Sequence, residues 1–349
     1  MENFAVRFPE LHKADIVNVE VPAPQPGEIL VKTRMTMISI GTEMTAYTGE
    51  FPEGSVWARI CKLPVFPGYN NIGEIIDVGE GVDKKLIGKR IASRAQHRKY
   101  FTTPLYYDLE IGDRTIPQAM ETFIEVPEGV TDEEAVFFTI PEIVMNGIRR
   151  SELVWGERVA VFGAGLLGQF TARICRLAGA LPLFVSDVSD KRLEMLPDDP
   201  GIVKVNPMRD NIVEVIKDHC NGRLADIGFE ITGKASLIHG QLQALRRSGR
   251  LVILSSPRDK VEFDFHDDSN YISSRIIGAH VGSHPLIEQN DSQWTRNRHA
   301  RTYFEMLQYK QLDVKPLISK ITSFENAPEL YKALDENRGD YMGMLMDWR

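Results

Sequence analysis

Arg158-Val159-Ala160-Val161-Phe162-Gly163-Ala164-Gly165-Leu166-Leu167-Gly168 decides the fold. A short apolar run ends in three spaced glycines, and the residues from Leu166 onward follow with helical spacing. This is a strand-to-helix turn of the kind that binds a dinucleotide. Gly163 makes the tight turn, Gly165 leaves the backbone open to a pyrophosphate, and Gly168 lets the helix pack close to the strand. The N–H groups at the helix start, with Leu166 and Leu167, face the phosphate charge. The next apolar run, 181–185, leads to Asp187. A carboxylate there accepts the ribose hydroxyls of NAD and repels the 2′-phosphate of NADP. Lys191 and Arg192 follow and are the groups that would serve a phosphate instead; NAD is the expected cofactor, with Arg192 beside it.

Working outward, apolar runs near 158–162, 181–185, 202–205, 226–231, 250–255 and 275–280 alternate with helical stretches such as 211–219 and 235–245. That alternation predicts an α/β domain with a doubly wound parallel sheet. The segment before it is rich in Gly and Pro, with strands expected at 28–33, 72–78 and 89–93 and a surface excursion over 108–118. Thr139-Ile140-Pro141-Glu142 opens a helix to about Arg150, with Thr139 as N-cap and Pro141 in the first turn. Beyond 282 come a polar loop with Trp294, helices near 299–308 and 327–337, and strands near 317–321 and 342–348. The simplest organisation is a β-rich domain over 1–139 and 283–349 and a dinucleotide domain over 140–282.

Hydrophobic residues make up 43% and charged residues 26% of the 349, as in soluble globular proteins. A net charge of −8 argues against nucleic acid or an anionic membrane as partner. The first ten residues carry charges and a proline and no apolar core, so no signal peptide is expected. No apolar run reaches the length of a membrane span. Cys61, Cys175 and Cys220 lie far apart and form no CxxC pair, which fits a reducing cytoplasm.

Further residues carry a family resemblance. Phe66-Pro67-Gly68-Tyr69-Asn70-Asn71-Ile72-Gly73-Glu74 followed by Val78-Gly79-Glu80-Gly81-Val82 resembles the segment in which zinc alcohol dehydrogenases carry Gly-His-Glu. Ile40-Gly41-Thr42-Glu43 resembles their Cys-Gly-Thr-Asp. Gly156-Glu157-Arg158 leading into the glycine turn is similar to the medium-chain dehydrogenase/reductase superfamily at large, and the polyol, threonine and bacteriochlorophyllide dehydrogenase branch is the nearest in kind. The resemblance implies a GroES-like catalytic domain, a Rossmann domain, and a homodimer or homotetramer. The positions that match the family's zinc ligands hold Ile40, Tyr69, Asn70 and Thr139, and Arg94-Ala95-Gln96-His97 replaces the four-cysteine lobe. Isoleucine cannot ligate a metal, and asparagine and tyrosine are poor substitutes for imidazole and carboxylate, so no zinc is expected at either site.

Without a metal, protein groups must take the proton and stabilise the oxygen charge. Thr42 matches the family's relay hydroxyl. Tyr69 and Asn70 fill vacated ligand positions and can donate to an oxyanion. His97 is the candidate general base, because imidazole is the side chain that ordinarily changes charge near neutral pH. Glu142 is a further candidate, although an acid in the first turn of a helix is favourable by itself. The resemblance also implies Thr232, Leu254, Ser255 and Ser256 at the nicotinamide, and Glu43, His280 and Trp294 toward substrate. The leading expectation is NAD-dependent oxidation of a secondary alcohol of a polyol, cyclitol or sugar. The alternatives are a zinc-free reductase of activated C=C bonds, a dehydrogenase of a porphyrin-like alcohol, and a non-catalytic NAD(H)-binding protein.

Overall fold

The computed structural model describes residues 2–349 and divides the chain into two compact units, Ile140–His284 and the pair Met1–Thr139 with Pro285–Arg349. The first of these is built on six strands: β1 (Val159–Phe162), β2 (Leu183–Ser186), β3 (Ile202–Val205), β4 (Ala225–Glu230), β5 (Leu245–Ile253) and β6 (Arg275–Gly278). They form one sheet in the order β3-β2-β1-β4-β5-β6, every neighbouring pair parallel. β1, β2 and β4 are buried along their whole length, as parallel strands covered on both faces must be. The strand order reverses between β1 and β4, the place where doubly wound sheets bind ligands at the strands' carboxyl ends.

Two elements differ from the sequence reading. The helix expected over 235–245 is a 3₁₀ turn at Ala235–Leu237 and a short α-helix, Ile238–Gln243. Leu245 already belongs to β5, where it pairs with Ala225; the register then slips and Ile227 pairs with Arg250, with Ser248 at φ 57° between. β6 ends at Gly278, so His280 lies past the strand it was expected to end.

The other unit holds a seven-stranded sheet. Its longest strand, Glu28–Ile38, pairs antiparallel with Asn71–Val78 on one edge and with Tyr100–Pro104 and Gly343–Asp347 along the other. The C-terminal strand is thus part of this sheet, and Trp348 behind it is buried, its Nε1 donating to Thr36 Oγ1 at 2.9 Å and its ring stacked on Phe324 at 4.3 Å. The expected excursion takes the form of an antiparallel hairpin, Tyr106–Ile111 with Arg114–Glu121, turning at Gly112 with φ +58°. Asp132, buried at a helix start, binds Arg34 and Arg90 at 2.8 Å each and ties three segments together. Among the described residues no helix is long and apolar enough to cross a membrane.

Candidate functional site

The glycine turn has the shape its residues demand. Gly163 sits at φ +107°, a conformation in which a side chain is strained. A Cβ at Gly168 would stand 1.9 Å from the Gly163 carbonyl oxygen, so the helix start and the turn touch through bare backbone. A Cβ at Gly165 would meet nothing within 4 Å: its glycine is required by no protein neighbour. Gly165 is also the N-cap of the helix Leu166–Leu177 and caps it with no side chain. The first N–H groups of that helix have no intrahelical acceptor and point where an anion would lie. An open cradle at Gly165 over a helix N-terminus fits the pyrophosphate of a dinucleotide.

Asp187 is less exposed than a free ribose-binding acid. Its Oδ2 accepts from Ala164 N at 2.7 Å, its Oδ1 from Ser189 N at 2.9 Å, and Arg192 Nη1 stands 3.7 Å from Oδ2. Each carboxylate oxygen has a second lone pair, so the group can hold the turn and still accept a hydroxyl. Below it lies a pair the sequence reading missed. Buried Gln169 donates to Ala164 O at 3.0 Å and to Arg192 O at 2.7 Å, and its Oε1 accepts from Arg173 Nη1 at 2.7 Å. Gln169 therefore fixes the turn after β1 to the segment after β2.

A second missed residue is Glu230, fully buried at the end of β4. Its Oε1 accepts from Thr232 Oγ1 at 2.5 Å and Gly233 N at 3.0 Å, and its Oε2 accepts from Ser255 Oγ. The backbone N–H groups of Leu254 and Ser255 both donate to Glu230 O at 3.1 Å. Thr232 and Ser255, expected at the nicotinamide, are thus joined by one carboxylate that sets the loops after β4 and β5. Leu254 packs so closely on the helix Thr139–Arg150 that a Cβ at Gly147 would lie 2.7 Å from its Cδ1. Ser256 is exposed. His280 Nδ1 accepts from Gly282 N at 3.1 Å and caps the short turn Val281–Ser283. Glu142 is buried in the first turn of Thr139–Arg150.

In the other unit, Ser39 stands at the N-cap of the helix Ile40–Thr48, yet its hydroxyl does not cap the helix. It is hydrogen-bonded to the Tyr69 hydroxyl, which in turn donates to Thr42 Oγ1 at 3.3 Å. Ser39, Tyr69 and Thr42 form a series of three hydroxyls, and Thr42 is its partly exposed end. Asn70, expected to meet substrate, is instead fully buried and engaged: its Oδ1 accepts from Thr139 Oγ1 and its Nδ2 donates to Met37 O at 3.3 Å. Thr139 is accordingly the first residue of its helix and not its cap. This donor set does not fit zinc: the amide and hydroxyl of Asn70 and Thr139 are bonded to each other, and Ile40 offers no ligand atom.

His97 and Glu43 are also placed differently from the sequence reading. Both are buried, with His97 Nε2 3.0 Å from Glu43 Oε2. Tyr331 Oη donates to the same oxygen at 2.5 Å, and Ser39 N donates to Oε1 at 2.7 Å. Burial and the Glu43 charge hold the Tyr331 hydroxyl well above its ordinary pKa, so it stays a donor. A Cβ at Gly68, which has φ +104°, would meet the His97 ring at 2.7 Å. A general base must reach the substrate hydroxyl. His97 reaches Glu43, and Glu43 in turn holds the backbone of Ser39. Trp294 stacks on His299 at 5.5 Å under the Arg298 guanidinium.

Residues 167–296 match the model of the family described as zinc-binding dehydrogenase. The chain is 26% identical over 341 residues to L-threonine 3-dehydrogenase of Pyrococcus horikoshii, covering 92% of each chain. It is 24% identical over 354 residues to 2-dehydro-3-deoxy-L-galactonate 5-dehydrogenase of Pseudoalteromonas atlantica, covering 96% of each. Its fold is that of 2R,3R-butanediol dehydrogenase from Bacillus subtilis, with a TM-score of 0.79 at 18% identity over 99% of both chains. With the strand order around the glycine turn and the β-rich sheet completed by the C-terminal strand, these likenesses make the chain similar along its length to the medium-chain dehydrogenases, the zinc-alcohol-dehydrogenase-like proteins.

Proposed function

We propose that the protein is an NAD-dependent dehydrogenase that oxidises a secondary alcohol of a polyol, cyclitol or sugar without zinc. The observation that carries this reading is the hydroxyl series Ser39–Tyr69–Thr42, with Tyr69 at a position the resemblance assigns to a metal ligand. The dehydrogenase names of the similar proteins support the reaction class. Gly163, Gly165, Gly168, Asp187 and Arg192 would hold NAD, which when bound accepts hydride from the carbinol carbon. The chain's own residues handle the proton. The substrate hydroxyl donates to Tyr69 Oη, Tyr69 passes its proton to Thr42 Oγ1, and Thr42 hands its own to water, so Tyr69 and Thr42 each gain one proton and lose one. Ser39 holds the Tyr69 hydroxyl in place. Glu43 and His97 are positioning residues that fix Ser39, and Asn70 with Thr139 fixes the strand start next to Tyr69.

The test is a screen of polyols, cyclitols and sugars with NAD, read as NADH absorbance, on enzyme treated with a chelator. Turnover is expected to survive chelation, and Tyr69→Phe to lower kcat by about a hundredfold or more. Loss of turnover on chelation with recovery on adding zinc would sink the metal-free reading.

The cofactor choice has its own test. Asp187→Ser removes the carboxylate that would accept the ribose hydroxyls, and the ratio of NADH to NADPH affinity is expected to fall about tenfold to a hundredfold in fluorescence titrations. An unchanged ratio would place the discrimination elsewhere.

A further inference from the structure

Arginines in this chain are usually given a carboxylate. Arg7 has Asp15 at 2.6 Å, Arg176 has Asp199 at 2.9 Å, and Arg34 and Arg90 share Asp132. Arg98 is an exception. It is half-buried, and among the described residues no acidic side chain pairs with it. Its Nη2 donates to the neutral amide of Gln96, its guanidinium lies 5.8 Å from the centre of the Phe66 ring, and its Nε is buried without a hydrogen-bond partner. Burial alone pushes its pKa below the ordinary arginine value, with no anion opposing the shift. Withdrawing a cation from water is unfavourable unless a counter-charge and hydrogen bonds replace the lost hydration.

Its location gives that missing anion a meaning. The segment Gln96-His97-Arg98 runs against the loop Phe66-Pro67-Gly68-Tyr69: His97 N donates to Pro67 O at 2.9 Å, and Asn71 Nδ2 donates to Gln96 O at 3.2 Å. Arg98 therefore lies along the loop that carries the Tyr69 hydroxyl. While the His97 side chain turns into the core, those of Gln96 and Arg98 remain partly accessible. A planar guanidinium fork matches two oxygens of a carboxylate or phosphate.

We infer that Arg98 recognises an oxyanion on the substrate, so that the alcohol oxidised belongs to a sugar acid or a polyol phosphate and not to a neutral polyol. The inference rests on the dehydrogenase reading for its substrate but not for its binding site. Gln96 is the positioning residue that holds the fork, and the aromatic face of Phe66 supports it from one side.

The test compares D-gluconate, D-glucitol 6-phosphate and neutral D-glucitol as substrates with NAD, in the wild type and in Arg98→Gln and Arg98→Lys. The wild type is expected to favour one of the anions over D-glucitol by at least about tenfold in kcat/KM, the worth of a charged hydrogen bond. Which anion is favoured separates carboxylate from phosphate. In Arg98→Gln the preference collapses through KM, and Arg98→Lys recovers part of it. The denaturation midpoint followed at Trp348, which lies in the same unit as Arg98, is the control for folding, and NADH affinity is the control for the other unit. Equal use of anionic and neutral substrates by the wild type, or a preference that survives Arg98→Gln, overturns the inference and leaves the dehydrogenase reading intact. If nothing is oxidised, calorimetric titration of the NADH-bound enzyme with the two anions decides. Binding that Arg98→Gln abolishes upholds the anion site while the dehydrogenase reading falls, and no binding overturns the site.

Discussion

Gly168→Ala is expected to lose NADH affinity by more than about a hundredfold and to destabilise its unit by about 3 kcal/mol. The added Cβ would fall 1.9 Å from the Gly163 carbonyl oxygen and 2.8 Å from its carbonyl carbon. Neither neighbour is a flexible side chain that could move aside. Gly163 is itself held at φ +107° with Ile231 and Thr232 backbone close by, so relief requires displacing the turn or the helix. Gly165→Ala is the informative companion. Its Cβ would meet no protein atom within 4 Å, so the fold is untouched and the methyl occupies the space left for pyrophosphate. NADH affinity should fall in both variants, and the denaturation midpoint only in Gly168→Ala. Wild-type stability for Gly168→Ala would contradict the packing, and wild-type affinity for Gly165→Ala would contradict the cradle.

The second large effect is expected at Glu43. Glu43→Ala leaves three buried donors without their acceptor: Ser39 N, His97 Nε2 and Tyr331 Oη. A buried donor left unsatisfied costs about 1–3 kcal/mol, so a loss of about 4 kcal/mol is expected in the unit that contains it. Glu43→Gln keeps the shape but brings an amide N–H against those donors and recovers only part. Turnover should fall in both, because Ser39 loses the contact that sets its backbone beside Tyr69. Chemical denaturation followed at Trp348, a tryptophan of the same unit as Glu43, reads the stability. A midpoint equal to wild type in Glu43→Ala would refute a structural role for this carboxylate.

These two predictions also show what the sequence does and does not disclose. The glycine turn is legible because its geometry acts through the backbone: only glycine tolerates the φ of Gly163 and the contact at Gly168, so residue type and spacing carry the information. The six strands are legible for a similar reason, since each is a short apolar run between turns. The helix expected over 235–245 fails where a tertiary pairing, Ala225 with Leu245, draws the last residues into β5. The candidate site is harder. His97 sits among Arg94, Gln96, Arg98 and Lys99, a setting that reads as an accessible loop. Its burial is decided by Glu43 and Tyr331, far away in the chain. Asn70 looks like a free donor until Thr139 is placed against it. Glu230 looks like an ordinary acid at a strand end, and nothing local says that Thr232 and Ser255 will close over it. Thr42 and Tyr69 are singled out in the sequence only through resemblance, and the contact between their hydroxyls depends on a fold that brings distant residues together.

The sheet strand formed by Gly343–Asp347 has a consequence for how the protein is made. The dinucleotide unit is one continuous stretch, whereas the other unit needs both ends of the chain. During synthesis the Rossmann sheet can be complete while Met35–Ile38 still waits with an unpaired edge for residues not yet translated. Biogenesis therefore has a built-in order, in which the dinucleotide unit can mature before the unit that needs Gly343–Asp347 closes. Until then an open β edge and the pocket for Trp348 are exposed, and the nascent protein's exposure to aggregation and chaperones is concentrated in that interval.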